Sequence, residues 1–148
     1  MTVSGAPVVA EVQGLPEMPV AGLRIRDLVG SGKRGVLAFN TNGMELHDIK
    51  VDAADGPAFL IRDSADLQLD HVETARPIAG MPVIRLDRVT RAQVRASRAW
   101  LGTDTFLSAA PGLLKSVVLD SNQLSAAKSP TAESAVDFWK AIDSPDRQ

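Results

Sequence analysis

The chain has 148 residues with ordinary apolar and charged fractions, 45% and 23%. That is enough for one domain with its own core, and too apolar for disorder. The net charge of -2 supplies no basic field for nucleic acid or an anionic membrane. With no cysteine there are no disulfides or thiolate metal sites, and no apolar run approaches the roughly 20 residues that span a bilayer.

No basic segment followed by an apolar run opens the chain, so no intact signal peptide is read there. Val8-Val9-Ala10-Glu11-Val12 reads as a strand. Gly14-Leu15-Pro16-Glu17-Met18-Pro19 breaks it, because two prolines exclude both helix and central strand. From Gly22 one motif then recurs: Leu23-Arg24-Ile25-Arg26-Asp27-Leu28, Met44-Glu45-Leu46-His47-Asp48-Ile49, Leu67-Gln68-Leu69-Asp70-His71-Val72, Ala92-Gln93-Val94-Arg95-Ala96-Ser97 and Val117-Val118-Leu119-Asp120-Ser121-Asn122. The starts at 23, 44, 67, 92 and 117 give a period of 21 to 25 residues, the signature of a solenoid. The first, third and sixth residues of each copy are predicted to point inward.

A second apolar run sits between copies: Val36-Leu37-Ala38-Phe39, Ala58-Phe59-Leu60-Ile61, Val83-Ile84-Arg85-Leu86 and Thr105-Phe106-Leu107. The longer gap after the last of these, around Ala109-Ala110-Pro111-Gly112, predicts a bulge or looser turn. Two strands per repeat, no helical period and turns rich in Gly, Asp and Asn predict an all-β fold. It is a right-handed parallel β-helix of about five to six rungs over residues 1–128. An antiparallel sandwich would use hairpin dipeptides such as Asn42-Gly43 and Asp55-Gly56, but gives no reason for every second strand to share one pattern. Ser129-Pro130-Thr131 is read as the end of the repeats. Residues 129–148 are then a short C-terminal cap helix or a tail, with Ala135, Phe138, Trp139 and Ile142 at helical spacing and Thr131 or Ser134 as N-cap.

Gly14-Leu15-Pro16-Glu17-Met18-Pro19-Val20 with Gly22-Leu23-Arg24-Ile25-Arg26-Asp27-Leu28, followed by Asn42-Gly43-Met44-Glu45-Leu46-His47-Asp48-Ile49 and Gly56-Pro57-Ala58-Phe59, resembles the late rungs of the family 28 glycoside hydrolases. These are pectin-active, polygalacturonase-like right-handed β-helices. The resemblance runs from about Val9 to Asn122 and implies a secreted or periplasmic setting and an acidic oligosaccharide as ligand. The family's inverting chemistry needs a set of carboxylates across the scissile bond, carried in Asn-Thr-Asp, Asp-Asp, Gly-His-Gly and Arg-Ile-Lys motifs upstream of the Leu-Pro-Glu-Met-Pro turn. This sequence has no Asp-Asp pair and no Gly-His-Gly. Arg24-Ile25-Arg26 follows that turn, inside a rung. No catalytic residue and no cofactor is therefore assigned, and this chain alone is predicted not to hydrolyse.

Stacking the rungs places Arg26, His47, Asp70, Arg95 and Asp120 in one outward lane, with Asp27, Asp48 and His71 at the adjoining bend. The lane is read either as a ladder of cross-rung pairs or as a sugar-binding groove with His47 and Asp70 as proton carriers. Arg95 and an outward Trp100 complete the candidate substrate-binding set. His47 and His71 fall in different lanes, and two histidines without a third ligand do not make a zinc site. The rival classes are a carbohydrate-binding module and a structural, oligomerising β-helix. An uncovered first rung would expose Val8, Val12, Leu23 and Ile25. It predicts a homo-oligomer through the N-terminal end, most simply a two-fold dimer or one exchanging residues 1–13.

Overall fold

The computed structural model describes residues 2–140. Its strands in chain order are β1 (Thr2–Gln13), β2 (Val20–Ala21), β3 (Arg24–Phe39), β4 (Thr41–Asn42), β5 (Glu45–Ala53), β6 (Phe59–Ala65), β7 (Gln68–Thr74), β8 (Pro82–Thr90), β9 (Ala92–Arg95), β10 (Thr105–Ala109), β11 (Val117–Asp120) and β12 (Ser129–Glu133). They pair in parallel and wind into a β-solenoid of about six turns, as the repeat predicts. β3 is long enough to turn a corner. Its first half continues through β5, β7, β9 and β11 as one sheet, and its second half through β6, β8, β10 and β12 as another.

The corners have a common cause. Asp27, Asp48, His71, Ala96 and Ser121 occupy the same place in five successive rungs, and each has φ between 53° and 57°. Asn40, Asp63 and Arg88 form a second such column, and Gly22, Gly43, Asp66 and Arg91 a third. Left-handed backbone is tolerated best by Gly, Asn and Asp, which is why turn residues of these types recur at the repeat period. At the bends, polar side chains replace backbone partners. The Ser97 N–H donates to Asn122 Oδ1 (2.9 Å), and the Val72 N–H to Ser97 Oγ (3.0 Å). The Thr41 N–H donates to Ser64 Oγ at 3.2 Å. Between the sheets Gly35 is required, because a Cβ there would lie 2.1 Å from the Ala58 carbonyl oxygen.

The predicted inward set forms the core in the middle rungs. Met44, Leu46, Ile49, Leu67, Leu69, Val72, Ala92 and Val94 are all buried, against Phe59, Ile61, Ile84, Leu86 and Leu107 of the second sheet. At the ends the same positions are less covered: Leu23, Ile25 and Val117 are half-buried and Leu119 is 37% exposed. The turn expected near Ala109–Gly112 is present and leads into a 3-10 turn at Leu114–Ser116.

Two expectations are corrected. Val8 and Val12 do not stand exposed on an uncovered first rung: the strand read there extends over residues 2–13 as β1, paired in parallel with residues 29–39 of β3, and Val12 is buried while Val8 is half-buried. Nor do the repeats stop at Ser129. β12 continues the register of β10, with the Ser129 N–H donating to the Asp104 carbonyl at 2.8 Å. Pro130 is tolerated because adjacent residues in a parallel ladder face opposite sides, so its missing N–H lies on the side of β12 that no described strand pairs. Consequently neither Thr131 nor Ser134 is a cap. Asp137 Oδ1 instead accepts the N–H groups of Trp139 (2.9 Å) and Lys140 (3.1 Å). Ile142 lies outside the described residues.

Residues 134–139 run across the outer face of the second sheet. Trp139 is buried against Leu37 and Leu60, with Val8, Phe39 and Phe138 around them. The Arg62 guanidinium lies 4.2 Å from the Trp139 ring. A sheet covered on both faces reads as a continuous apolar run instead of an alternation, which accounts for Phe59-Leu60-Ile61.

Candidate functional site: a charged lane on the first sheet

The outward residues of β3, β5, β7, β9 and β11 come into register as anticipated: Arg26 beside His47, His47 beside Asp70, Asp70 beside Arg95, and Arg95 beside Asp120. A parallel column, Arg24, Glu45, Gln68 and Gln93, flanks them. His47 is the centre of the lane. Its Nε2 is 2.8 Å from Glu45 Oε1 and its Nδ1 3.3 Å from Asp70 Oδ2. Glu45 also accepts from Arg24 Nε at 3.0 Å, and Asp70 lies 3.6 Å from Arg95 Nε. The hydrogen bond from His47, helped by Arg24, holds the Glu45 carboxyl below its ordinary range. The result is a continuous chain, Arg24–Glu45–His47–Asp70–Arg95, across four rungs.

Similar pairs recur elsewhere at the repeat spacing. At the bend His71 Nδ1 meets Asp48 Oδ1 at 2.7 Å. Arg88 and Arg91 each place two nitrogens on the carboxylates of Asp63 and Asp66. Arg76 reaches Asp52 (2.9 Å) and Arg98 reaches Glu73 (3.1 Å). Arg91 depresses the Asp66 carboxyl, and the Gly80 N–H, aided by Lys128, depresses that of Asp104. Carboxyls lowered on folding contribute stability above their unfolded pKa and lose it as pH falls through the folded value. The melting temperature is therefore expected to hold from neutrality to about pH 5 and to drop below about pH 4. A melting series that rose on acidification would contradict this account of Glu45, Asp66 and Asp104.

Trp100 is not part of the lane. It sits at the far end of β7, where its Nε1 donates to the Thr74 carbonyl at 2.6 Å. The Arg98 guanidinium lies 4.0 Å from its ring. His47, Asp70 and Arg95 are thus brought together, while Trp100 is fastened to the preceding rung.

Sequence reasoning missed a second polar cluster. Arg85, on the outer face of β8, has a side chain only 1% exposed. Its Nε donates to both Asp87 oxygens (3.1 and 3.2 Å), and its Nη1 donates to Ser108 Oγ (2.7 Å). Nη2 donates to Asp87 Oδ1 (2.9 Å) and to the carbonyls of Ser134 (2.7 Å) and Val136 (3.2 Å). The signal was available as a single charge inside Val83-Ile84-Arg85-Leu86. A cavity of about 370 Å³ beside it is lined by Arg62, Arg85, Asp87, Arg88 and Trp139. Among the described residues no group of three or more His, Asp or Glu is placed to hold a metal ion. No family model, curated protein or solved structure matches the chain.

Proposed function

We propose that this chain is a scaffolding β-solenoid module, a non-hydrolysing relative of the pectin-active rungs it resembles. In this reading its charged lane stacks its own rungs. The observation that supports this is the Arg24–Glu45–His47–Asp70–Arg95 chain of contacts, in which both nitrogens of His47 already face carboxylates. A general acid or base has to offer its proton-carrying atom to a substrate, and here those atoms face neighbouring side chains. The family resemblance remains part of the proposal and rests on the residues quoted for it.

A second reading, binding of an acidic oligosaccharide, is favoured by the 48% exposure of the Arg95 side chain at the lower end of that chain. Calorimetric titration with oligogalacturonides separates the two. The scaffold predicts no saturable binding, and a melting temperature about 2–4 °C lower in Asp70→Asn from one lost cross-rung pair. Saturable binding that disappears in Arg95→Ala or Trp100→Ala would replace the scaffold with a carbohydrate-binding module. Reducing-end release from polygalacturonate, abolished by Asp70→Asn, would replace it with a hydrolase.

A further inference from the structure

Asn42-Gly43 and Asp55-Gly56 carry the same latent backbone chemistry. In each, the glycine nitrogen can attack Cγ of the preceding side chain and close a succinimide ring. Glycine hinders that attack least, because it has no Cβ. The ring closes only where the glycine N–H is not held in a hydrogen bond and the peptide can turn toward the side chain. In an unstructured chain the asparagine site reacts first, since an amide gives up ammonia more readily than a carboxylate gives up water.

The fold treats the two sites oppositely. Asn42 lies in β4, in register with Ala21 on one side and Ala65 on the other. The Asn42 carbonyl accepts from the Gly22 N–H at 2.9 Å, and the Gly43 N–H donates to the Ala65 carbonyl at 3.0 Å. These are the two polar groups of the Asn42–Gly43 peptide itself, so it is clamped between neighbouring rungs. Asp55 lies in the bend between β5 and β6. Its own N–H donates to the Lys33 carbonyl at 2.7 Å, which anchors the bend one peptide before the reactive bond. Among the described residues the Gly56 N–H has no acceptor, and the exposed Asp55 carboxylate has neither hydrogen bond nor ion pair. Space around Gly56 is also open, since the nearest atom to a Cβ there would be Arg34 Nη1 at 3.8 Å.

We propose that Asp55 is a site of spontaneous succinimide formation and isoaspartate conversion in the folded protein, and that the solenoid shields Asn42 from the corresponding deamidation. The Gly56 nitrogen bonds to Asp55 Cγ. The hydrogen of that nitrogen and the hydroxyl of the protonated carboxyl leave together as water. Water then adds back at either ring carbonyl. Opening at the side-chain carbonyl restores aspartate, and opening at the main-chain carbonyl leaves isoaspartate, with the chain routed through the side chain. The added backbone carbon falls between two hydrogen bonds that tie the bend to β3. These are Asp55 N–H to the Lys33 carbonyl and Val36 N–H to the Ala58 carbonyl (2.8 Å).

Peptide mapping of the full chain after prolonged incubation at neutral pH is expected to find isoaspartate at residue 55 and an intact amide at residue 42. In concentrated urea the order should reverse. Asp55→Asn removes the difference in leaving group and puts two Asn-Gly sites in one molecule. With a β-rich circular dichroism spectrum retained, residue 55 of this variant should deamidate at least about ten-fold faster than Asn42, which must wait for its rung to open. In urea the two rates should converge. Equal rates in the folded variant overturn the proposal. So does a folded wild-type chain that loses the Asn42 amide first, or one that gains no isoaspartate at residue 55 over a time that converts the unfolded chain.

Discussion

Replacing Arg85 by alanine is expected to lower the free energy of unfolding by about 3–5 kcal/mol, because it leaves Asp87 buried without its countercharge. Asp87 is 8% exposed and has two hydrogen bonds from Arg85 Nε and one from Nη2. The carbonyls of Ser134 and Val136 and the Ser108 hydroxyl lose a donor at the same time. The loss has a direction as well as a size. Arg85 is the polar tie between β8 and the segment that carries Trp139 across the second sheet, so amide exchange should accelerate first at Val136, Trp139 and their neighbours. Arg85→Lys should recover little, since an ammonium cannot present a planar fork to a carboxylate and two carbonyls together. The double replacement Arg85→Met with Asp87→Leu should recover much of the loss by removing the unpaired charge. A cost below about 1 kcal/mol for Arg85→Ala in urea denaturation would mean that the segment is held by Trp139 alone.

The second large effect lies at the centre of the solenoid. Leu69 is fully buried, stacked between Leu46 and Val94 in the first sheet. Its replacement by alanine is expected to cost about 2–5 kcal/mol through lost transfer energy and an unfilled cavity. Leu119 occupies the same column one rung beyond Val94 but is 37% exposed. Leu119→Ala should cost less than about 1 kcal/mol in a dilute monomer, in proportion to the smaller area withdrawn from water. Equal losses at the two positions, or a loss below about half a kcal/mol at Leu69, would contradict the inward register.

The polar positions divide by whether their partner lies one repeat away. His47 and Asp70, or Arg91 and Asp66, are separated by 23 and 25 residues, so counting by the period was enough to set them side by side. Arg85 and Ser134 are 49 residues apart. That is about two repeats, and Ser108 lies one repeat, 23 residues, away. But Ser134 and Val136 have left the ladder to cross the sheet, and Asp87 sits two residues along the same strand, so Arg85 read as an irregularity in an apolar run. Trp100 was legible as outward but not as fastened, because its bond to the Thr74 carbonyl depends on how the chain turns after Ser97.

What the sequence determined by itself was the winding. Leu46, Leu69 and Val94 recur with the spacing of one turn, and Asp27, Asp48 and His71 recur at the bend, because each rung must bury the same side and turn at the same place as its neighbour. These constraints act between adjacent turns and so leave a periodic trace. Only the tertiary structure decided the ends and the outer face. Residues 2–13 became a rung because β3 offered them an open edge over residues 29–39. Ser129–Glu133 became a strand, despite Pro130, because an edge position leaves one side without a hydrogen-bond requirement. Residues 134–139 crossed the second sheet because Leu37, Leu60 and Arg85 needed cover and partners there. β12 keeps the repeat offset of 24 residues from β10, but Pro130 hid it, and residues 134–139 follow no period. Burial and hydrogen-bond satisfaction in the assembled solenoid, and not local pattern, settled these placements.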